Sequence, residues 1–342
     1  MGGKVQPRRV LHIFDVPEVL PSGMPIAIFN QVSQQIELGH AVYTVNYWPK
    51  GGAHQTLSGF LALVPGTPSI VRSMRALLKE VRALSENVDD IYIHGLWTRS
   101  ALCALFLPRL IRAKIRHAPH GALDNAALQF GYLKKRVTWY VAQKWALERA
   151  GAVIATSRRE MEGIQKHLPQ ANTQLIPLQL PNIAAVPNPN GPRKRLLYFG
   201  RIHPIKGIAA ILNAWKALHA DMPDWDLALI GPQEEPWSSQ FRKMAEDLDL
   251  PRVTFQQEVM PNERLLVLAT ANLVLAPSLT ENFGLVIAEA LALGRTVIAS
   301  KQTGWHEQPR LILFSNQIEF QKAILSEAHR QSQDSENARA IL

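Results

Sequence analysis

Cysteine is almost missing from this 342-residue chain. The one present, Cys103, closes no intrachain disulfide and anchors no cysteine-based metal cluster, a usage that fits a reducing compartment. No apolar run approaches the roughly 20 residues that a membrane-spanning helix needs. The basic start, Met1 to Arg9, leads into a strand-like segment without a small-residue cleavage site, so no cleavable signal peptide is expected. The chain lacks the Gly-x-Gly-x-x-Gly fingerprint of a dehydrogenase, a Walker loop and a Gly-x-Ser-x-Gly elbow. Zinc-finger spacing and RNP-like motifs are also missing, which argues against nucleic acid as a partner. There is no repeat and no low-complexity segment.

What remains is an ordinary globular composition, 47% hydrophobic and 19% charged, at a length that suits about two domains. Charge is unevenly placed. Residues 1–180 hold 21 Lys+Arg against 11 Asp+Glu, and the remainder holds 16 against 17. The surplus gathers at Arg109, Arg112, Lys114 and Arg116, and again at Lys134, Lys135 and Arg136. The plain reading is a solvated face; the sharper one is contact with an anionic membrane surface.

Short apolar segments alternate with helical ones, the pattern of a parallel, doubly wound sheet. Strands are expected at Val10–Phe14, Ala41–Tyr47, Ile91–Ile93 and Ala152–Ala155, with helices at Ile26–Leu38 and Val71–Leu84. Leu180 to Pro192 holds four prolines and three asparagines and can continue neither a helix nor a central strand. The expected organisation is therefore an N-terminal domain over 1–182, a linker over 183–194 and a C-terminal domain over 195–342. In the latter the alternation restarts with strands at Leu196–Phe199, Leu227–Ile230, Val253–Gln256, Leu273–Ala276 and Thr296–Ala299. A helix is expected over Ile318–Ala328, with Arg330–Glu336 a frayed polar tail. Ligands of such sheets bind at the carboxyl ends of the strands, here in an interdomain cleft.

Two constellations carry chemistry. In Gly200-Arg201-Ile-His-Pro-Ile-Lys206-Gly207 two cations sit just past a strand's carboxyl end, a placement that suits a diphosphate leaving group. The same fragment is also consistent with a loop carrying two solvated cations. In Glu281-Asn282-Phe283-Gly284, followed by Glu289, unpaired amides open a helix that can receive phosphate. Glu281 and Glu289 could grip two polyhydroxylated parts of one ligand. Glu289 lies among Ile287, Ala288, Ala290 and Leu291, and a carboxylate in that setting needs a partner. Asp224-Trp-Asp226 matches a metal-binding Asp-x-Asp but precedes its strand, at the wrong end.

These motifs, in this order and with Leu229-Ile-Gly231-Pro232 between them, resemble the retaining GT-B glycosyltransferases of glycosyltransferase family 4 (glycosyl transferases group 1). The resemblance covers about Leu196 to Glu307. The N-terminal half resembles the family more loosely, through Pro21-Ser-Gly23-Met, His94-Gly95-Leu-Trp97 and Ala118-Pro-His120-Gly121, the last similar to exopolysaccharide transferases. It implies two Rossmann-like α/β domains. It also implies Arg201 and Lys206 on the donor diphosphate, Glu289 on the nucleotide ribose and Glu281 on the transferred sugar. Asn282, Phe283, Gly284 and Gly231 would line the donor, and Gly23 would let a loop approach its phosphate. His120 would lie near the reacting sugar, although the loop alone is equally read as packing a turn. Asp124 would lie at the acceptor; His94 and Trp97 would pack the strand end. The crossover helix that usually ends such chains is expected to be short or missing.

The expected function is metal-independent, retaining transfer of a hexose from a nucleoside-diphosphate sugar to a glycan or lipid-linked acceptor. No metal or other cofactor is implied, and the setting is cytoplasmic, at the inner membrane face, in cell-surface polysaccharide assembly. The alternatives are a non-catalytic basic binding protein of the same fold and a phosphorylase or sugar-phosphate synthase.

Overall fold

The computed structural model describes residues 6–15, 24–48, 69–107, 112–124, 128, 132–178, 180, 183, 185, 193–259 and 263–341. Gly23, Arg109 and most of the proline-rich stretch lie outside them. The chain divides into two compact units, residues 1–179 and 180–342.

Unit 1 runs β1 (Arg9–Phe14), α1 (Met24–Glu37), β2 (Ala41–Tyr47), β3 (Ser69–Val71), α2 (Met74–Ser85) and β4 (Asp90–His94). A 3-10 turn, Ser100–Leu102, leads into α3 (Cys103–Phe106) and β5 (Lys114–Ala118). Then come α4 (Tyr132–Thr138), a π turn (Trp139–Gln143), α5 (Lys144–Glu148), β6 (Ala152–Ala155), α6 (Arg158–His167) and β7 (Thr173–Leu175). Unit 2 runs β8 (Lys194–Phe199), a 3-10 turn (Pro204–Lys206), α7 (Ile208–Leu218), β9 (Trp225–Ile230), α8 (Trp237–Asp247) and β10 (Val253–Gln256). It continues through α9 (Arg264–Ala269), β11 (Leu273–Ala276), α10 (Leu285–Ala292), β12 (Thr296–Ser300), β13 (Leu311–Phe314) and α11 (Gln317–Ile341). No helix among the described residues is long and apolar enough to cross a membrane.

Both sheets are parallel throughout their named strands. Their orders are β3-β2-β1-β4-β5-β6-β7 and β10-β9-β8-β11-β12-β13. In each the direction of winding reverses once, between β1 and β4 and between β8 and β11. These are two Rossmann-like α/β domains. Because both faces of each sheet are covered, side chains of one strand serve two cores. On β8, Leu196 and Tyr198 join Trp215 and Phe320, whereas Leu197 and Phe199 join Val274, Ile287 and Val297.

The structure departs from the sequence expectations in a few places. Val71 closes β3 and does not begin a helix, because Ser73 caps α2 by accepting from the amide of Ala76. The polar tail is helical to Ile341. Its residues are tied down: Gln331 donates to the carbonyl of Asn272 at 3.2 Å, and the Ser332 hydroxyl takes Lys194 Nζ at 2.8 Å. β5, β7 and β13 were not expected; in β5 the basic residues Lys114 and Arg116 obscure the strand pattern, and Arg116 is held by Asp90 at 2.9 Å.

One face of the central strands of unit 1 is apolar, with Leu11, Ile13, Ile91 and Ile93 in the core. The alternate positions include His12 and His94, both fully buried. Tyr92 stacks on His12 with ring centroids 5.0 Å apart. Burial pushes the pKa values of His12, His117 and His120 down to about 4, and burial with the neighbouring rings holds that of His94 well below the usual range. In the unfolded chain these rings titrate near 6.5.

Between those values the unfolded state binds protons that the folded state refuses. Stability from these groups is therefore complete above pH about 6.5 and falls as pH drops toward 4. Asp15, whose carboxyl burial raises, opposes this as one group against four. The melting transition of unit 1 should accordingly drop by at least about 5 °C between pH 7 and pH 5. Calorimetry across that range checks it, and a flat melting temperature would contradict neutral burial of these rings.

Candidate active site

Parallel order places the ends of β8, β9 and β11 at one edge of unit 2. Past β8 the chain turns at Gly200 and passes Arg201, His203 and Lys206 before Gly207 opens α7. Gly207 has φ of 74°, and a Cβ there would lie 2.2 Å from the carbonyl oxygen of Pro277. Only glycine permits that approach. The turn is tied to the β11 loop by the amide of Leu279, which donates to the carbonyl of Ile205 at 2.9 Å. Tyr198 braces it from below, its hydroxyl donating to the Arg201 carbonyl at 2.7 Å. Gly231, after β9, packs so closely that a Cβ would meet the Gly200 carbonyl oxygen at 2.1 Å.

This geometry brings Lys206 to Glu281. Lys206 Nζ lies 2.5 Å from Oε1 and 2.8 Å from Oε2, with both side chains partly shielded from water. Arg201 is more open and lies 3.5 Å from both carboxylate oxygens of Glu234. His203 accepts from the amide of Ile205 and meets the ring of Trp237 edge-on. In the facing loop the carbonyl of Phe283 accepts from Trp305 Nε1 at 2.9 Å. Gly284, with φ of 70°, then starts α10.

Glu289 faces inward and is buried. Its Oε2 accepts from Arg264 Nε and lies 2.7 Å from Arg264 Nη2 as well, and the guanidinium lies 4.9 Å from the centroid of the Phe199 ring. The partner demanded by its apolar setting is thus Arg264. A signal was present: Arg264 is the first residue of α9, where a cation opposes the helix dipole and needs a specific reason to be there. Asp224 and Asp226 lie at the amino end of β9, where Asp226 meets Arg193 at 3.4 Å.

At the carboxyl edge of unit 1 two residues other than glycine take left-handed backbone conformations, Trp97 with φ of 65° and His120 with φ of 54°. Such positions cost energy and survive only where neighbours hold them. Glu160 is the holder at His120. Its Oε1 accepts from the amide of Gly121 at 2.6 Å, and its Oε2 accepts from the amide and hydroxyl of Thr156, each at 2.7 Å. The sequence Ser157-Arg-Arg-Glu160 reads as a helix cap, which hides that second task. Asp15 accepts from the amides of Arg99 and Ser100 at 3.1 and 3.2 Å. Asp124 pairs with Arg159 at 3.0 Å. His94 does more than pack the strand end: it contacts both His12 and His120.

Breaking one partner of a buried ion pair leaves an uncompensated charge, at a cost of about 3–5 kcal/mol. Glu289→Ala should lose about that much stability in denaturant titration. The double variant Arg264→Met with Glu289→Leu should recover at least about half of it. A single variant within about 0.5 kcal/mol of wild type would show that the pair is not buried in solution.

Residues 181–324 match the family model described as glycosyl transferases group 1, and residues 22–179 match a glycosyl transferase 4-like domain. A D-inositol 3-phosphate glycosyltransferase of Corynebacterium glutamicum is 26% identical over 244 residues, 64% of this chain and 58% of that protein. The D-inositol 3-phosphate glycosyltransferase of Pseudarthrobacter chlorophenolicus is 25% identical over 271 residues, 73% of this chain and 64% of its own length. The chain therefore spans less than two thirds of these relatives. Among solved structures, Anabaena Alr3699/HepE in complex with UDP and glucose has a TM-score of 0.74 at 18% identity, over 95% of this chain and 91% of that one. That likeness is one of fold. By its two matched domains, the chain belongs to the glycosyltransferases that join a 4-like domain to a group 1 domain.

Proposed function

We propose that this protein transfers a hexose from a nucleoside-diphosphate sugar to an acceptor hydroxyl, with the donor held by unit 2. The observation that carries the reading is the Lys206–Glu281 pair at the point where the winding of the second sheet reverses, the position at which such sheets bind ligands. Lys206 and Arg201 are assigned to the diphosphate, with the amides of Asn282, Phe283 and Gly284, and Gly231 is assigned to the same donor. Glu289 is assigned to the ribose, through the oxygen that does not serve Arg264. Glu281 is assigned to the transferred sugar, His120 to one of its hydroxyls and Asp124 to the acceptor. The uridine diphosphate of the Anabaena complex supports a uridine nucleotide.

The reaction needs no enzymic nucleophile on this reading. The C1–O bond to the diphosphate breaks and the acceptor oxygen bonds to C1 on the same face. The departing phosphate oxygen takes the acceptor proton, and because the new bond forms on the face that the diphosphate leaves, the configuration is retained. Fixed cations supply the charge compensation that a divalent metal would give elsewhere. The acceptor is a glycan or lipid-linked hydroxyl in surface polysaccharide assembly. The two named relatives favour a second reading, a small phosphorylated polyol such as inositol phosphate. A panel of both acceptor types with one donor separates them.

Loss of a charge-stabilising group of this kind lowers turnover by about 100-fold or more. Lys206→Ala should do so while the fold persists, and wild-type activity should survive EDTA. A Lys206→Ala protein of near-normal turnover, or activity lost on chelation and restored by Mg²⁺, would each overturn the assignment.

A peripheral setting at the inner membrane face is part of the proposal. Val137, Tyr140, Val141 and Trp145 are well exposed along α4, the π turn and α5, with Val141 at 74%. Arg136 is exposed beside them, and Arg112 and Lys114 are exposed elsewhere on the unit. Apolar and aromatic side chains bordered by cations fit an anionic lipid interface. Sedimentation with phosphatidylglycerol vesicles should retain the protein at low salt and release it at high salt. Val141→Glu with Trp145→Glu should abolish binding; binding unaffected by both changes would place the contact elsewhere.

A further inference from the structure

Three histidines of unit 1 stand in one hydrogen-bonded row. His12 is on β1 and His94 ends β4, the two strands on either side of the point where the winding of the first sheet reverses. His120 follows β5. His12 Nδ1 lies 2.8 Å from His94 Nε2, and His94 Nδ1 lies 2.9 Å from His120 Nε2. The far end of the row is closed by α1, where the buried Gln35 sets its Oε1 at 2.8 Å from His12 Nε2.

The donor and acceptor roles follow from that closure. A carbonyl oxygen only accepts, so with the Gln35 amide in this orientation His12 carries its proton on Nε2 and leaves a lone pair on Nδ1. His94 Nε2 must then donate, which leaves a lone pair on His94 Nδ1. His120 Nε2 must donate in its turn, which leaves the lone pair of His120 on Nδ1. One choice at Gln35 thus fixes the tautomer of three rings. The ring planes are held as well, with centroids 5.0 Å apart between His12 and His94 and 5.2 Å between His94 and His120.

We propose that Gln35, His12 and His94 are positioning residues, which fix His120 so that its Nδ1 is presented to a substrate sugar hydroxyl as a hydrogen-bond acceptor. The identity of that hydroxyl rests on the transferase reading; the order of protons along the row does not. Two further features fit a device of this kind. His120 is kept in a left-handed backbone conformation that Glu160 secures through Gly121. It is also partly open to solvent, whereas His12 and His94 are wholly buried. Three apolar residues would fill the same space at less desolvation cost, so packing alone does not account for the row. Because burial keeps the rings neutral near pH 7, the row conveys orientation and no net charge.

The test uses the full chain labelled with ¹⁵N-histidine. Imidazole nitrogen shifts in wild type should show His12, His94 and His120 all protonated on Nε2, and Gln35→Met should turn that single form into a mixture. A proton on Nδ1 of His120 in wild type, or no change in Gln35→Met, overturns the relay. Turnover with UDP-glucose then tests its purpose. His94→Leu should lower kcat by about tenfold, the worth of one neutral hydrogen bond. His94→Gln should restore most of it, since its amide can accept from His120 and donate to His12 at once. Equal kcat for His94→Leu and wild type, at matched folded fraction, overturns the positioning role. A wild type that transfers no sugar defeats the transferase reading alone, and the nitrogen shifts still decide the relay.

Discussion

The arrangement depends on one constraint of parallel sheets. Where two neighbouring strands send their following helices to opposite faces, no crossover covers the gap between their carboxyl ends. Each unit has one such place, beside β1 and β4 and beside β8 and β11. The loops that end there are free to serve something other than the core. Left-handed backbone recurs there, at Gly95 and Trp97 after β4, Gly207 after β8 and Gly284 after β11, and at His120 after the adjoining β5. At Gly207 glycine adopts it without strain and leaves room for Pro277, whereas at His120 it is strained and persists because Glu160 enforces it.

The sequence was most legible where one residue type permits only one solution. Strands β6 and β11 agree residue for residue with the pattern of apolar positions, because buried parallel strands are short runs of Val, Ile, Leu and Ala, and β2 and β10 agree through their β-branched and aromatic residues. The spacing from Gly200 to Gly207 foretold a turn, and the contact of Gly207 with Pro277 is the reason that glycine is required. The apolar surroundings of Glu289 foretold a partner without naming it. Arg264 is 25 residues away along the chain, and only the packing of α9 on α10 brings the two together.

What stayed hidden was hidden by ambiguity of pattern. Strand β5 alternates charged with other residues, and its Arg116 looks solvated until Asp90 and Gln174 are placed beside it. The helical tail reads as polar and frayed because its anchors, Asn272 and Lys194, belong to other elements. His12 lies inside an apolar strand, and Gln35 lies on the buried face of an amphipathic helix. Neither residue looks unusual alone. Their meaning is a line of donors and acceptors, and a line needs three dimensions.

The two units meet the same topological opportunity with opposite electrostatics. Unit 1 fills its reversal point with histidines that burial keeps neutral. Unit 2 uses full charges, and these come in two grades. Arg264 and Glu289 are 6% and 3% exposed in their side chains, so neither can leave the other without stranding a charge in the core. Lys206 and Glu281 are 18% and 23% exposed, and water reaches them. A pair of the first grade is a permanent part of the scaffold. A pair of the second grade can exchange partners at modest cost, because solvent stabilises either ion while it does so. On the proposed reading that difference is functional. Lys206 keeps a counter-ion until a diphosphate takes the place of Glu281, and the carboxylate so released is then available to the sugar. The site avoids an unpaired lysine before the donor arrives, and it needs no large rearrangement of the core to exchange one anion for another.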